Sequence, residues 1–366
     1  MKVININYNG ELIEKIKLIR SKSLKRKKKY SKEQLNKPIN FWIKPDRLLN
    51  QIGKEFVVIL RTKGCSMTLE DSGGCSMCGY IQDANLEKVK PIYIMNQFDY
   101  ALKNKLEEIE KDNNNYVIKL FNSGSFFDNN EIAESVRTYI YKKIADIKNI
   151  KEVVVESRVE YVKPEDLIKM RELLNKKYVE IGIGIETVND YIRNNYINKG
   201  LIFDDFLNTF QTCKEHGIGI KAYLLFKPPF VNEESAIDDC IDSIKSLIKL
   251  NINSISINPL NIQKGTLVEY LWYQNRYRPP WFYSLIKCLK KSITQKNLKN
   301  VRILSDPSGA GTKRGIHNCL KRECNENYIK ILKNFVLKQD LNQLRQTKFD
   351  FDCECKLKYR LQRKYC

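Results

Sequence analysis

Short apolar strands alternate with amphipathic helices from residue 55 to residue 260, and this alternation restricts the folds open to the chain. Runs such as VVIL, VVVE and IGIGI are nearly continuous apolar segments, which is typical of strands covered on both faces. Strands that alternate with helices indicate parallel βαβ units. Six strands are predicted, over residues 55–62, 115–124, 151–158, 178–187, 219–229 and 253–260. Because the series stops near residue 260, a partial (β/α)6 barrel fits better than an eight-fold one.

The sequence on either side of this series has a different character. Residues 1–50 are a basic N-terminal extension, residues 51–262 the predicted barrel, and residues 263–366 a small C-terminal domain rich in cysteine. The predicted fold class is therefore α/β, with an addition at each end of the barrel. No run of 18 apolar residues is present, and MKVININYNGELIEK lacks an apolar signal-peptide core. We therefore expect a cytoplasmic protein that does not enter a membrane.

The charge of the chain favours a polyanionic partner. Its 64 Lys and Arg residues against 43 Asp and Glu residues give a net charge of +21, which attracts nucleic acid. Residues 15–29, KIKLIRSKSLKRKKK, contain only basic residues among their charged positions. Such a run is either a solvated, disordered arm or an arm that binds phosphates, and the sequence leaves both open. Lysine is frequent throughout the chain, which weakens the argument from charge.

Three cysteines lie in the stretch GCSMTLEDSGGCSMCGY, directly after the first predicted strand. They are Cys65, Cys75 and Cys78, spaced C-x9-C-x2-C. Active sites of α/β barrels lie at the C-terminal ends of the strands, so we expect this loop at the barrel mouth. Thiolates select zinc, copper(I) or iron–sulfur clusters. No fourth ligand is close by, and catalytic zinc generally takes histidine or carboxylate ligands as well. The pattern therefore favours a [4Fe–4S] cluster with one open iron.

An open iron is what radical S-adenosylmethionine (SAM) enzymes need. SAM chelates it, and one electron from the cluster cleaves a carbon–sulfur bond of SAM to release a 5′-deoxyadenosyl radical. Polar residues at the next strand ends suit this ligand: Ser123-Gly124-Ser125 for the amino group, Arg158 for the carboxylate, and Glu156 and Glu186 for the ribose. An ordinary strand–helix loop, and helix capping by the two acidic residues, are the alternatives.

Polar residues also occur in and after the fifth and sixth predicted strands. We predict that Tyr223 and Asn258 bind the cofactor and that Lys221, Lys227 and Asn261 contact the substrate. Polar side chains inside apolar strands cost free energy unless they have partners. The barrel lumen is therefore predicted to hold a polar ligand.

The strand-end motifs, taken in order, resemble a known family. The C-x9-C-x2-C loop is similar to that of radical SAM proteins related to the catalytic subunit of Elongator. Within that group, seven segments resemble the radical SAM subunits of archaeosine synthase (the RaSEA family): RTKGCSMTLEDSGGCSMCGY, LFNSGSFFD, VVVESRVEYV, GIGIET, IKAYLLFKPPF, SINPLNIQ and GIHNC. The cysteine loop alone specifies only the superfamily, whereas the ordered series is far more specific.

The resemblance implies a tRNA-modifying lyase that works with a lysine-transferring partner subunit and an electron donor. The partner adds lysine, through its ε-amine, to the nitrile of 7-cyano-7-deazaguanine in the tRNA D-loop. The radical enzyme then breaks the lysine Cε–N bond and leaves the formamidine of archaeosine. Hydrogen abstraction at Cδ with β-scission, or at Cε with oxidation and hydrolysis, would each achieve this. The alternatives are a group-transferring radical SAM enzyme of tRNA and a non-catalytic, zinc-bearing RNA-binding protein.

A second group of cysteines lies near the C-terminus. Its members are Cys319, Cys324, Cys353 and Cys355. Two short-spaced pairs separated by a helix predict a four-thiolate metal site, with zinc as the first choice. An auxiliary iron–sulfur cluster and unmetallated thiols are the alternatives, and His317 is either a further ligand or a capping residue. The aromatic stretch 270–283 and the tail KLKYRLQRKYC are interpreted as core or as RNA contacts.

Overall fold

The computed structural model describes residues 10–25, 27, 29–70, 72–345 and 353–365. Its centre is an eight-stranded sheet in which each strand pairs with the next one along the chain. The strands are β1 Asn40–Arg47, β2 Ile52–Ile59, β3 Tyr116–Phe121, β4 Ile150–Glu156, β5 Tyr178–Glu186, β6 Gly219–Phe226, β7 Ser254–Pro259 and β8 Arg302–Leu304. β2 to β8 pair in parallel, and β1 pairs antiparallel with β2. The predicted α/β partial barrel is confirmed, with one further strand on each edge.

Helices connect the parallel strands, as the alternation predicts. The α-helices are α1 Gly10–Leu24, α2 Lys32–Leu35, α3 Ser66–Leu69, α4 Pro91–Lys111, α5 Glu134–Ala145, α6 Pro164–Leu173, α7 Asp190–Asn195, α8 Phe203–Glu215, α9 Glu233–Lys249, α10 Leu267–Tyr273, α11 Phe282–Ser292, α12 Arg322–Lys338, α13 Asn342–Arg345 and α14 Cys355–Gln362. α4, α5, α6, α8 and α9 each lead back to the start of the next strand. The C-terminal ends of β2 to β8 therefore meet at one edge of the sheet, the mouth.

The two faces of the sheet have different chemistry. Alternate residues such as Ile118, Val153 and Leu224 belong to the main hydrophobic core under the helices. The residues between them point to the opposite, concave face, because successive side chains of a strand alternate. There Lys119 pairs with Glu55 at 2.6 Å. A second set of ion pairs joins Arg302 to Glu152 at 2.8 Å and to Glu180 at 2.5 Å. These pairs lie towards the N-terminal ends of the strands, which leaves the mouth for ligands.

The structure adds three elements within the predicted N-terminal extension, namely α1, α2 and β1. β1 was not predicted, because Pro45 and charged residues interrupt its pattern; an edge strand tolerates a proline because one side of it needs no ladder donor. α1 contains the first part of the basic run. Residues 1–9, Arg26 and Lys28 of this extension lie outside the described residues, as do residues 346–352 of the C-terminal domain. The boundaries at residues 50 and 262 stay predictions.

Among the helices of the described ranges, none is both long enough and apolar enough to cross a bilayer.

Candidate active site

The three cysteines of the first group lie on the loop that follows β2 at the mouth. Cys65 immediately precedes α3, and Cys75 and Cys78 follow the pair Gly73-Gly74. Both glycines have positive φ angles, 68° and 78°, a conformation that other residues adopt only with strain. A Cβ atom on Gly74 would lie 2.4 Å from the hydroxyl of Thr68. The glycine pair therefore lets the loop fold back closely on α3.

Side chains from distant parts of the chain hold this loop, which we call the cluster loop (residues 64–82). Arg20 of α1, Lys27 and Asn198 donate hydrogen bonds to its backbone carbonyl oxygens, at distances from 2.7 to 3.3 Å. α1 therefore packs onto the cluster loop, with Ile16 and Arg20 buried, and does not extend into solvent. Part of the basic run thus contacts protein backbone.

The chemistry of the three thiols fits a metal cluster. Burial raises the pKa of Cys65, and it raises the pKa of Cys78 to about 12; the nearby Cys75 adds to both shifts. Three half-buried thiolates in one loop repel one another unless a metal binds them, and coordination deprotonates a thiol outright. In the described part of the chain, the three sulfur atoms do not form a group within 4.8 Å of one another. A single tetrahedral ion needs closer ligands, whereas a [4Fe–4S] cluster spans several iron atoms.

The turn after β3 lies against the cluster loop. A Cβ atom on Gly124 would lie 2.7 Å from the Cα atom of Cys65, so this glycine permits the close approach. Glu131, which is buried, accepts hydrogen bonds from the backbone N–H of Ser125 at 2.8 Å and from the side chains of Asn122 and Thr62 at 2.8 and 2.9 Å. Burial raises the pKa of Glu131 to about 7, against the effect of these donors. Glu131 thus fixes the turn, including Ser123, which donates to a carbonyl of the cluster loop.

Arg158 connects the end of β4 to the same region. Its backbone N–H donates to the Ser125 hydroxyl at 3.1 Å. Its guanidinium lies 3.1 Å from the Met67 sulfur in α3 and donates to the Lys199 carbonyl at 3.0 Å. The predicted site residues at the ends of β3 and β4 are therefore brought together beside the cluster loop.

Two glycines of β5 make room on the concave face. A Cβ atom on Gly182 would lie 2.6 Å from the Tyr223 ring and 3.2 Å from the side chain of Glu156. Burial raises the pKa of Glu156, while the Tyr223 hydroxyl and the charge of Lys221 lower it. Glu156 of β4 and Tyr223 of β6, both predicted to bind the cofactor, therefore meet above Gly182, which has no side chain.

The end of β5 carries an ion pair. Lys199 lies 2.7 Å from the carboxylate of Glu186, and a Cβ atom on Gly184 would overlap both groups. Glu186 has a φ angle of 64°, a left-handed conformation that costs a non-glycine residue about 1–3 kcal/mol. Strain of this kind clusters at binding sites, where the surrounding structure enforces it.

The remaining predicted residues are more dispersed. Lys221 is buried on the concave face, where burial and the charge of Lys119 lower its pKa to about 8. Asn258 accepts a hydrogen bond from Ser256 at 3.2 Å. Asn261 is half-buried beyond β7. Lys227 is 1% exposed and donates to the Arg278 carbonyl at 2.7 Å, so it contacts the C-terminal domain.

Sequence reasoning missed three residues of this site: Arg20, Glu131 and Lys199. Arg20 lies in a basic run that the sequence leaves open between a solvated arm and an arm that binds phosphates, and Glu131 precedes a helix as many surface acids do. Lys199 lies in the Asn-Lys-Gly break between two helices. The break was the only signal. The partners of Arg20 lie more than 50 residues away, whereas Glu131 and Lys199 have partners closer in sequence whose arrangement depends on the fold of a turn and of a strand end.

The second cysteine group converges in space. The sulfur atoms of Cys319, Cys324, Cys353 and Cys355 all lie within 4.8 Å of one another. The Cys319 and Cys353 sulfurs are 3.9 Å apart, close to the ~3.8 Å expected for two thiolates on one tetrahedral zinc ion. The Cys355 backbone N–H, more than any other group, lowers the pKa of Cys353 to about 7. The donor set therefore fits a single tetrahedral metal ion.

Aromatic residues surround the second cysteine group, and His317 lies outside it. Trp281 and Tyr359 pack against the cysteines, and the Tyr283 hydroxyl lies 3.2 Å from the Cys355 sulfur. The Nδ1 atom of His317 is hydrogen-bonded to the Gly315 carbonyl at 2.8 Å. Part of the aromatic stretch 270–283 is therefore core of the C-terminal domain.

The chain is similar in sequence to known proteins over most of its length. The sequence profile of the radical SAM superfamily matches residues 59–258, from the end of β2 into β7. The archaeosine synthase subunit beta of Methanosarcina acetivorans is 36% identical over 88% of this chain and 88% of its own length. Its counterpart from Thermococcus kodakarensis is 36% identical over 85% of this chain and 93% of its own. A solved structure of N-terminally truncated Elp3 from Methanocaldococcus infernus covers 69% of this chain and 60% of that protein, with a TM-score of 0.47 and 14% identity.

Proposed function

The chain belongs to the radical SAM superfamily and, within it, to the family of archaeosine synthase subunit beta, and on this premise we propose that it is a C–N lyase of tRNA modification. The observation that carries the proposal is the cluster loop at the mouth, where three thiols lie beside the polar ends of β3, β4 and β5. This arrangement offers a cluster-binding loop in direct contact with polar side chains.

Cys65, Cys75 and Cys78 would hold the [4Fe–4S] cluster. When bound, the cluster and SAM supply a 5′-deoxyadenosyl radical that abstracts hydrogen from carbon. The residues that would bind and orient SAM are Ser123, Gly124, Ser125, Glu156, Arg158, Glu186, Tyr223 and Asn258. Carboxylates suit ribose hydroxyls, and a guanidinium suits the SAM carboxylate, because charge-assisted hydrogen bonds are roughly twice as strong as neutral ones. Lys221, Lys227 and Asn261 are the proposed substrate residues.

The proposed substrate is a tRNA whose 7-cyano-7-deazaguanine base has already received lysine from a partner subunit. In the overall reaction the lysine Cε–N bond breaks, and the formamidine of archaeosine stays on the base. The relatives are named as a beta subunit, which supports a partner subunit. Reductive cleavage of SAM also requires an electron donor. The buried concave face, closed at its far end by ion pairs, suits a reaction that must exclude water and stray hydrogen donors.

A surface beside the mouth supports RNA binding. Tyr273 is 68% exposed, Lys15 of α1 lies 4.1 Å from the Tyr270 ring, and Arg314 lies 4.9 Å from the Trp272 ring. This aromatic–basic face consists of Lys15, Tyr270, Trp272, Tyr273, Arg276 and Arg314. Cations bind phosphates and exposed rings stack on bases, so the pairing of both suits single-stranded or looped RNA.

The second cysteine group is proposed to hold zinc. The convergence of four sulfur atoms supports a structural site, since such sites close all four positions with protein ligands. Cys353 and Cys355 lie at the start of α14, and the Asn232 side chain donates to the Lys364 carbonyl at 3.0 Å. Zinc would therefore fix the C-terminal segment against the start of α9.

Anaerobic purification and reconstitution with iron and sulfide test this proposal. We expect a brown protein that absorbs near ~400 nm and forms 5′-deoxyadenosine from SAM under reducing conditions. Replacing Cys65, Cys75 and Cys78 by alanine should abolish both the absorption and the formation of 5′-deoxyadenosine. A protein that stays colourless after reconstitution would refute the radical mechanism and favour a zinc-bearing RNA-binding protein.

A further inference from the structure

Arg20 lies on α1, outside the stretch that matches the superfamily profile, and yet its side chain enters the cluster loop. It is 3% exposed. Its Nη2 atom donates to the carbonyl oxygens of Cys75 at 3.3 Å and Cys78 at 2.7 Å, and its Nε atom donates to that of Gly73 at 3.3 Å. One guanidinium thus holds the backbone at both cysteines of the C-x2-C segment.

The third nitrogen of this guanidinium, Nη1, is buried and has no hydrogen-bond partner among the residues that the structure describes. An unsatisfied buried donor costs about 1–3 kcal/mol, and more when it is charged. Burial lowers the pKa of Arg20, while Cys78, Cys75 and Cys65, in that order, raise it. The guanidinium is therefore within electrostatic reach of all three thiols, and a group bound by them is the natural acceptor for Nη1.

The packing of α1 fixes this geometry. A Cβ atom on Gly73 would lie 3.2 Å from the backbone nitrogen of Lys17 and 3.3 Å from the side chain of Ile16. A Cβ atom on Gly265, after β7, would lie 2.7 Å from the side chain of Ser23. α1 is thus in close contact with both the cluster loop and the loop after β7, so Arg20 has little room to move.

We propose that Arg20 is a positioning residue of the iron–sulfur site, which clamps the backbone at Cys75 and Cys78 and donates an Nη1 hydrogen bond to a sulfur of the cluster. This inference rests on the proposed function, because it requires that the three cysteines bind a cluster. Hydrogen bonds to sulfur and nearby charge set the reduction potential of such clusters. A cation beside the cluster stabilises its reduced, more negative state, and the clamp slows the loss of iron.

The test uses the whole chain, reconstituted with iron and sulfide, without SAM or tRNA. The variants are Arg20→Gln, which removes the charge, and Arg20→Lys, which keeps the charge but loses the planar fork. Lys22→Gln, an exposed position on the same helix, is the control for loss of one charge. The readouts are iron content, the midpoint potential from a redox titration followed by electron paramagnetic resonance, and the rate of iron loss to a chelator.

We expect Arg20→Gln to shift the midpoint potential to more negative values than those of wild type and Lys22→Gln. Arg20→Lys should keep a potential close to that of wild type but lose iron several-fold faster. If Arg20→Gln does not fold, the rate at which Arg20→Lys loses iron to the chelator decides whether the proposal holds. Potentials and chelator rates equal to those of Lys22→Gln would overturn the role of Arg20. A wild type that binds no iron would instead overturn the proposed function itself.

Discussion

The carboxylate of Glu131 accepts a hydrogen bond from the backbone N–H of Ser125 at 2.8 Å, beneath the turn that lies against Cys65. Its other oxygen accepts from the side chains of Asn122 and Thr62. All three groups donate hydrogen bonds to Glu131, so both oxygens of its carboxylate must act as acceptors. Glu131 therefore sets the shape of the turn that is proposed to bind SAM.

Replacing Glu131 by glutamine should weaken SAM binding, because the new amide turns an N–H group towards one of these donors. An unsatisfied buried donor costs about 1–3 kcal/mol, so we expect a loss of stability of that order and about a tenfold higher Kd for SAM. Denaturant unfolding and calorimetric titration measure the two effects. Glu134→Gln, at an exposed position nearby, is the control, and equal SAM affinity in the two variants would contradict the role of Glu131.

The stability of the fold should depend on pH through Asp239. Burial raises the pKa of Asp239 from 3.8 to about 6, although the Thr187 hydroxyl donates to it at 2.7 Å. The folded state therefore binds more protons than the unfolded state between about pH 4 and pH 6. The unfolding free energy should decrease as pH rises through this window and stay lower above it.

Asp239→Asn should make this decrease smaller and leave the part that Glu131, whose pKa burial raises to about 7, contributes with the same sign. The variant should also be more stable than wild type at neutral pH. The exposed neighbour Asp238 offers a matched control, since Asp238→Asn should keep the wild-type dependence. Urea unfolding at several pH values measures the unfolding free energy of both variants and its dependence on pH. A wild-type slope that persists in Asp239→Asn would show that another group is responsible.

The two cysteine groups should bind metal independently. Replacing Cys353 and Cys355 by serine should abolish zinc binding and loosen the C-terminal segment, while iron content stays at the wild-type level. Replacing Cys75 and Cys78 by serine should abolish iron binding, while the zinc content stays at the wild-type level. Elemental analysis of both variants decides the matter: loss of iron with zinc unchanged in the C-terminal variant would assign an iron–sulfur cluster to that site.

The aromatic–basic face should contribute to tRNA affinity. Arg276→Glu should weaken tRNA binding and reduce the slope of log K against log salt concentration by about 1 if Arg276 contacts one phosphate. Lys214→Glu, at the C-terminal end of α8 and at the opposite edge of the sheet, makes the same charge change and should have less effect. Binding measured at several salt concentrations separates the two. Equal losses would mean that only net charge matters.

The sequence predicted the features that depend on local pattern. The parallel strands follow from apolar runs such as VVVE, and the loop at the mouth follows from cysteine spacing next to a strand. Long-range contacts were not predictable. Arg20 binds a loop more than 50 residues away, and Lys199, in the break between α7 and α8, pairs with Glu186 at the end of β5. Local composition left the role of the basic run around Arg20 open, because it carries no information about such partners.

The central claim is that this chain cleaves the lysine C–N bond on tRNA with a radical generated at the cluster loop. The direct test is nucleoside mass spectrometry of tRNA that carries the lysine-adducted base, after anaerobic incubation with the reconstituted protein, SAM and a reductant. We predict that the adduct is converted to archaeosine together with formation of 5′-deoxyadenosine, and that the Cys65→Ala variant forms neither. Persistence of the adduct while 5′-deoxyadenosine accumulates would contradict the claim.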